Sequence, residues 1–323
     1  MLQTCMGLLL TGVILSMSTD IAHAVPPPME VPQASQTEVY RTIGEIELRM
    51  FIFNPSGHKS GDSRPAIVFF FGGGWVDGHA RQFAPQCAYL ASRGMVAMTA
   101  EYRVKNRHGT APAACVQDAN AAVRWVRTHA QRLGVDPQRV AAGGGSAGGH
   151  IAACIGVING LDEPDQDATV SAKPDALLLF NPALVFDAGP GEEPLPADYQ
   201  ARMAERLSKE ERAALSPYRN LSKDDPPTII FHGEADTTVP IDTVRRYVLK
   251  ATKLDLRCEL AAYPDQVHGF FNHHSNVDAF RRTMKAADEF LVSLGYLTGS
   301  PTIDQFEWNA TPNSTTPDQK EQR

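Results

Sequence analysis

Gly143-Gly144-Gly145-Ser146-Ala147-Gly148-Gly149-His150 is the stretch that decides the fold of this chain. It contains the pattern Gly-x-Ser-x-Gly, with Ser146 at its centre. The largely apolar residues 139–142 before it can form a buried strand, and residues 151–155 after it can open a helix. A strand, a sharp turn that carries a serine and a helix make up a nucleophile elbow. Glycine and alanine suit this turn, because the strand and the helix approach each other closely there.

The same octapeptide also matches the dinucleotide-binding pattern Gly-x-Gly-x-x-Gly, which starts at Gly143. That motif belongs in an early strand–helix–strand unit, with an acidic residue at the end of the next strand about 20 residues on. Here it lies in the middle of the chain, and Asp165 and Asp167 fall in a polar loop. The dinucleotide interpretation is therefore disfavoured. A glycine-rich turn without chemistry remains the alternative for this segment alone.

The composition is that of a soluble globular protein. The chain has 323 residues, of which 43% are hydrophobic and 21% charged, which suffices for one large α/β domain. Its formal net charge of −7 argues against nucleic acid or an anionic membrane as a partner. Beyond the leader segment, four cysteines stand in apolar or helical contexts, where buried free thiols are expected: Cys87, Cys115, Cys154 and Cys258.

Residues 1–24 are predicted to be a signal peptide. An apolar stretch runs from Met6 to Met17, and Ala22-His23-Ala24 is a small-residue cleavage signal. The apolar stretch is too short to span a membrane. Cys5 has no lipobox around it, so no membrane anchor is expected. The mature protein is therefore predicted to be periplasmic or secreted.

The rest of the chain divides into three parts by composition: a Pro-rich leader at 25–37, an α/β domain at 38–297 and a polar, disordered tail at 298–323. Apolar runs such as 65–71 and 175–180 predict strands buried on both faces, and they alternate with helical segments such as 113–130. This alternation predicts a mostly parallel sheet covered on both faces, with an antiparallel hairpin formed by residues 39–53 at its edge.

An insertion at 187–216 interrupts the alternation of strands and helices. It is polar and rich in Pro and Gly at its start, and then helical in pattern. It follows the elbow and lies between two core strands, which is where a lid over an active site would be. A surface excursion without a role in substrate entry is an equal alternative.

A serine needs a base and an oriented carboxylate to act as a nucleophile. In the elbow architecture the chain order is Ser, Asp or Glu, His. Asp236 follows a buried strand and His268 lies on a loop after the last strand, so they are the predicted acid and base for Ser146. Glu234 and Asp242 are the weaker candidates for the acid, since the first suits a solvent-facing turn and the second lies within the next helix.

The other histidines are assigned no catalytic role. His232 is expected to be packed at a strand end, His150 lies in the helix after the elbow, and His273-His274 are expected at the surface. No pair has the His-Glu-x-x-His spacing of a zinc site, so neither a metal nor a cofactor is predicted.

The reaction also needs backbone donors for the oxyanion. The amide after the nucleophile, that of Ala147, supplies one of them. A second donor is expected on the loop that follows the strand at 65–71, where Gly72-Gly73-Gly74 stands.

Residues 38–297 resemble the α/β-hydrolase fold, in the esterase/lipase group related to hormone-sensitive lipase and to bacterial feruloyl and acetyl esterases. That group carries H-G-G-G-W, G-x-S-A-G-G-H, an Asp on a strand loop and H-G-F. This chain has Phe71-Gly72-Gly73-Gly74-Trp75, the elbow, Asp236 and His268-Gly269-Phe270. Phe71 stands where the group has histidine, so the bracing of the glycine loop must differ here.

The resemblance implies a triad of Ser146, Asp236 and His268. It also implies that the oxyanion is bound by the amides of Gly73, Gly74 and Ala147. Trp75 and Phe270 are the expected walls of the substrate pocket.

The predicted function is therefore a serine esterase that hydrolyses small-molecule or carbohydrate-linked esters through an acyl-enzyme. The resemblance suggests acetyl or feruloyl groups on polysaccharides. The alternatives are a prolyl-oligopeptidase-like serine peptidase, an acyltransferase and, outside enzymes, an inert binding protein with the hydrolase fold.

Overall fold

One mixed sheet organises the computed structural model, which describes residues 30–164, 166–189 and 191–309. Its strands run in the order β1-β2-β4-β3-β5-β6-β7-β8. β1 and β2 form an antiparallel hairpin, β2 pairs antiparallel with β4, and the remaining neighbours are parallel. The strands are β1 (Gln36–Ile43), β2 (Ile46–Phe53), β3 (Arg64–Phe70), β4 (Val96–Ala100), β5 (Val135–Gly145), β6 (Ala176–Phe180), β7 (Thr228–Gly233) and β8 (Cys258–Tyr263).

Helices connect the strands and flank the sheet. They are α1 (Ala84–Ser92), α2 (Lys105–His108), α3 (Pro112–Thr128), α4 (Ala147–Val157), α5 (Ala197–Arg206), α6 (Lys209–Ala214), α7 (Pro217–Asn220), α8 (Ile241–Lys253) and α9 (Val277–Ser293). A 3₁₀ turn at Ala80–Phe83 precedes α1, and a second one lies at Ile303–Gln305. The predicted α/β-hydrolase architecture, a mostly parallel sheet with an antiparallel N-terminal hairpin, is confirmed.

Apolar strands explain why the sheet is covered on both faces. In β6 every residue is buried, and in β3 every residue after Arg64 is buried. Such strands cannot face water on either side, which requires a helix layer on each face. α4 is also buried along its whole length, because it packs against β5, β6 and α3.

The parallel order brings the loops with the expected chemistry to one edge of the sheet. β3, β5, β7 and β8 point the same way, so the loops after them leave from the same end. These loops carry the glycine run, Ser146, Asp236 and His268, in that order. Ligand sites of open parallel sheets lie outside the carboxyl ends of the strands, and this arrangement follows that rule.

Two boundaries predicted from composition need correction. The Pro-rich leader was expected to reach residue 37, but the described fold includes residues from Val31 on: Val31 is buried, and the amide of Ser35 donates to the carbonyl of Ile52. The tail was expected to be disordered from residue 298, yet Ile303 is buried and Phe306 packs edge-on against Tyr89. The predicted signal peptide at 1–24 and residues 310–323 lie outside the described residues.

Four cysteines in the described residues are free thiols: Cys87, Cys115 and Cys154 are buried, and Cys258 is half-buried. Among the described helices, none combines the length and the apolar character that crossing a bilayer requires.

Candidate active site

Ser146 occupies a strained backbone position between β5 and α4. Its φ of 54° and ψ of −116° lie outside the regions that a serine ordinarily adopts. The turn is tight because the strand and the helix nearly touch: a Cβ at Gly148 would lie 2.1 Å from the carbonyl oxygen of Phe70. Only glycine fits there, which is the physical reason for the Gly-x-Ser-x-Gly pattern.

The structure brings Ser146, His268 and Asp236 together. The hydroxyl of Ser146 lies 2.9 Å from Nε2 of His268, and Nδ1 of His268 lies 2.7 Å from Oδ2 of Asp236. Since the carboxylate can only accept, Nδ1 carries the proton and Nε2 is free to accept from the serine. This is the protonation pattern that a serine nucleophile with a histidine base requires.

Asp236 is held by the loop that follows β7. Its side chain is fully buried, and its second oxygen, Oδ1, accepts from the amides of Thr238 and Val239, both at 2.9 Å. His232 donates from Nε2 to the carbonyl of Val239 at 2.8 Å, and burial lowers the pKa of its imidazole. His232 is fully buried, as predicted, and it supports the loop of the acid.

The loop of His268 is fixed by side chains that the sequence did not single out. Asn181, which follows β6 with a φ of 36°, accepts from the amide of Gly269 at 3.1 Å. Asn272 donates to the carbonyl of Gly269 at 2.8 Å. Gln82 donates to Asn272 at 3.0 Å and accepts from the amide of Gly72 at 2.6 Å. Gln82 therefore connects the loop of the base to the glycine loop.

The glycine loop presents free amides next to the nucleophile. In the described part of the chain, the amides of Gly73 and Gly74 have no hydrogen-bond acceptor, whereas that of Gly72 is bound to Gln82. Ala147 is the first residue of α4, where an amide has no acceptor within its own helix. Gly73 has a φ of 132° and a Cβ there would lie 2.0 Å from the carbonyl oxygen of Asp77, so any other residue would force the loop to shift. This loop can therefore supply oxyanion donors.

Phe71 is braced by packing rather than by polar bonds. Its fully buried ring stacks on Tyr102 with the centroids 4.0 Å apart and the planes 15° from parallel. The hydroxyl of Tyr102 donates to the carbonyl of Phe71 at 2.6 Å. The segment 101–103 thus supports the glycine loop, and an aromatic stack stands where the resembling group has a histidine.

Trp75 ends the glycine loop and is anchored to α4. Its indole N–H donates to Nδ1 of His150 at 3.1 Å, while Nε2 of His150 donates to the carbonyl of Leu215 at 2.7 Å. Burial lowers the pKa of His150 to about 4, so the imidazole is neutral at neutral pH. A neutral His150 can accept from Trp75 and donate to Leu215 at the same time.

The insertion at 187–216 lies against two of the active-site loops. Arg202 of α5 donates to the carbonyl of Thr237 at 2.8 Å, in the loop of Asp236. Arg206, at the end of the same helix, touches the glycine loop: a Cβ at Gly74 would lie 1.7 Å from its Nη1 atom. This is the position that a lid requires, and its opening stays a prediction.

The remaining predicted residues are placed as follows. Glu234 and Asp242 are exposed and both pair with Arg245, away from His268, so neither competes with Asp236. Trp75 and Phe270 are each only 3% exposed and pack mainly against protein. Their role as walls of the substrate pocket stays a prediction.

No group of three or more His, Cys, Asp or Glu side chains in the described ranges is placed to hold a metal ion. What the site assembles is a nucleophile, a base, an acid and free backbone amides. That combination performs acyl transfer.

Comparison with known proteins agrees with this geometry. The BD-FAE family model matches residues 50–249, well over half of the chain. Esterase LipC of Mycobacterium tuberculosis is 25% identical over 194 residues, which cover 57% of this chain and 47% of LipC. The chain spans about half or less of the length of the curated relatives it matches.

Solved structures include proteins with higher sequence identity to this chain than LipC has. Thermogutta terrifontis esterase 2, in a structure phosphonylated by sarin, is 45% identical with a TM-score of 0.81, and the match covers 85% of this chain and all of that one. The same esterase with propionate bound is 47% identical with a TM-score of 0.77, over 85% of this chain and 98% of that one.

Proposed function

Because the chain belongs to the BD-FAE family of α/β-hydrolase esterases, we propose that it hydrolyses carboxylic esters through an acyl-enzyme on Ser146. The observation that carries the proposal is the unbroken chain of contacts from Ser146 through His268 to Asp236, at 2.9 and 2.7 Å. These distances lie within the range in which a base takes the proton of its nucleophile.

Acylation follows from the positions of these atoms. The oxygen of Ser146 attacks the acyl carbon while Nε2 of His268 takes the hydroxyl proton. The charge on the imidazolium is stabilised by Asp236, and the oxyanion is stabilised by the free amides of Gly73, Gly74 and Ala147. His268 then passes the proton to the leaving alcohol, and the acyl group stays on Ser146.

Deacylation repeats the steps with water. His268 takes a proton from a water molecule as that water attacks the acyl carbon. Collapse of the second oxyanion breaks the bond to Ser146, which recovers its proton from His268. The carboxylic acid leaves, and the site returns to its starting state.

The substrates proposed within this class are esters of short acyl groups such as acetyl, and also feruloyl esters, with the acyl group carried on a polysaccharide. Structures of Thermogutta terrifontis esterase 2 contain propionate and butyrate, which supports a short acyl group. The carbohydrate part is supported by the resemblance to feruloyl and acetyl esterases. A panel of aryl acetate, butyrate and octanoate esters with acetylated and feruloylated sugars tests both parts.

The experiment for the reaction compares wild type with Ser146→Ala. Wild type should hydrolyse aryl acetates and react with a fluorophosphonate probe. The variant should keep its melting temperature and lose kcat/KM by roughly a thousandfold or more. Continued labelling of the variant together with substantial turnover would contradict the assignment of Ser146. Hydrolysis of peptides in preference to esters, or acyl transfer to alcohols in preference to water, would identify the rival activities.

Export is part of the proposal and is tested separately. The A-x-A signal at residues 22–24 supports cleavage after Ala24 and a periplasmic or secreted protein. N-terminal sequencing of the protein recovered from the periplasm or the medium should then begin at Val25. Recovery from the cytoplasm with Met1 retained would reject export.

A further inference from the structure

A groove borders the glycine loop, which follows the carboxyl end of β3. It has a volume of about 750 Å³ and is open to solvent. Five parts of the chain line it: the first described segment through Pro32, the glycine loop, the 3₁₀ turn with the start of α1, the loop after His268 and the last described segment. Its size suits a small molecule or one or two units of a larger one.

The lining of the groove carries one arginine, three histidines and no acidic side chain. Arg81, His79, His273 and His274 line it, together with Gln82, and no Asp or Glu does, in a chain with 37 acidic and 30 basic residues. Arg81 is exposed, and no described carboxylate pairs with it. Such a surface selects an anion over a neutral group.

The permanent charge of the groove resides on Arg81. Burial lowers the pKa of His79 and of His273, with help from neighbouring positive groups, so both imidazoles are neutral at neutral pH. They remain hydrogen-bonding groups. Asp77, the acid of the glycine loop, is bound to Arg107 at 2.8 Å and is partly neutralised by it. Arg206 adds a second positive group on the side of Gly74.

Trp308 supplies a flat apolar surface in the same groove. It is half-buried, so part of its indole rests on the core and part lines the groove. A partly exposed tryptophan among hydrogen-bonding side chains is suited to packing against a ring, whether that ring is a sugar or an arene.

Residues from the glycine loop and from the loop of the base both line the groove. The oxygen of the departing alcohol must face Nε2 of His268, because it receives the proton from there. The loop that carries His268 continues directly into His273 and His274, which line the groove. Gly73, which also lines the groove, holds the oxyanion in the proposed mechanism.

We propose that the groove binds the alcohol part of the substrate and that this part is a ring bearing a carboxylate. Arg81 pairs with the carboxylate and Trp308 packs against the ring. The inference rests on the proposed esterase function and specifies its substrate. A uronic sugar and a hydroxybenzoate both have this chemistry, and they are separated by the experiment.

The experiment measures kcat/KM for two matched pairs of acetyl esters. One pair is O-acetylated methyl glucuronoside and O-acetylated methyl glucoside, and the other is 3-carboxyphenyl acetate and phenyl acetate. Within each pair, one ester bears a negatively charged carboxylate and the other is neutral. Wild type should favour the carboxylate in at least one pair by roughly twofold to fivefold, which is the range for an exposed ion pair. The favoured pair identifies the sugar or the arene.

Two variants locate the preference. Arg81→Gln should remove the preference for the carboxylate, and Trp308→Ala should raise KM for the favoured ring. Arg132→Gln is the control: Arg132 is an exposed arginine paired with Glu38 near the start of β5, the end opposite Ser146, and this variant should keep the wild-type ratio.

The outcomes separate the two proposals. Hydrolysis of neutral acetates without a preference for either carboxylate would overturn the inference and leave the esterase function standing. Loss of the preference in Arg206→Gln but not in Arg81→Gln would place the carboxylate beside Gly74 and overturn the groove assignment. Hydrolysis of none of the four acetyl esters, together with none of the aryl butyrate, aryl octanoate and feruloylated sugar esters of the earlier panel, would overturn both.

Discussion

The indole N–H of Trp75 donates to Nδ1 of His150 across 3.1 Å, and this bond joins the end of the glycine loop to the helix that begins at the nucleophile. Nδ1 of a protonated histidine carries a hydrogen and cannot accept. The bond therefore exists only while His150 is neutral. Protonation of His150 at low pH breaks this contact between the glycine loop and α4, the two segments proposed to bind the oxyanion.

The free energy of unfolding should decrease as the pH is lowered, because His150 is buried in its neutral form. Its folded-state pKa is lowered to about 4 from the ordinary 6.5, so the unfolded chain binds this proton first as the pH falls. The stabilisation by neutral His150 is fully present above about pH 6.5. Between about pH 6.5 and pH 4 it decreases by about 1.4 kcal/mol for each pH unit. Urea unfolding of wild type and His150→Gln at pH 7, 6 and 5 measures it. The difference between the two should shrink with acid, and parallel curves would contradict the prediction.

Asp236→Asn should abolish most activity while the fold remains. The amides of Thr238 and Val239 require an acceptor, so the Asn oxygen turns to them and its NH₂ group faces His268. Nδ1 must then accept, and Nε2 carries the proton and cannot take one from Ser146. We expect kcat to fall by roughly 10⁴-fold, as for a triad with the wrong histidine tautomer. A loss of less than tenfold in steady-state kinetics would remove Asp236 from the triad.

Gly73→Ala should impair catalysis more than stability. A Cβ there meets the backbone of Asp77, so the loop must shift and its donors with it. Loss of one oxyanion donor lowers kcat by roughly a hundredfold or more. Gly44→Ala is the matched control, because Gly44 also has a positive φ but open space around it. Full kcat in Gly73→Ala would show that the glycine run is only a turn.

Phe71→Ala should be strongly destabilising and should also lower kcat. The ring is fully buried against Tyr102, so its removal costs about 3–5 kcal/mol of unfolding free energy. Tyr102→Phe keeps the stack and removes only the bond to the carbonyl of Phe71, at about 1 kcal/mol. Melting temperature and kcat of both variants test this. An unchanged kcat in Phe71→Ala would mean that the stack does not position the glycine loop.

The fold and the catalytic constellation could be predicted because their signals are local. The elbow needs glycine at fixed offsets from Ser146, and Asp236 and His268 each follow a recognisable strand. Parallel strands then bring the three together without further information. The expected exposure of Glu234 followed from the same local reasoning.

The contacts that hold the site could not be predicted in this way. Gln82 meets Asn272 across 190 positions of sequence, and nothing near either residue indicates the other. Trp75 and Phe270 flank catalytic motifs, which predicts a place at a pocket, but the same aromatic character also fills a core, so the sequence does not decide between the two. The tail was predicted to be disordered because its average composition is polar. A few apolar side chains, such as the buried Ile303, nevertheless pack it against the fold.

Helix α5 contacts the loop of the acid through Arg202 and the glycine loop through Arg206, four positions apart on one helix. A substitution that tilts this helix therefore disturbs two catalytic elements at once. Changes at residues 197–206 should show epistasis with changes in either loop, although the loops are far apart in the chain. Laboratory evolution of this protein should consequently recover adaptive changes in α5 together with compensating changes in residues 72–78 or 236–239.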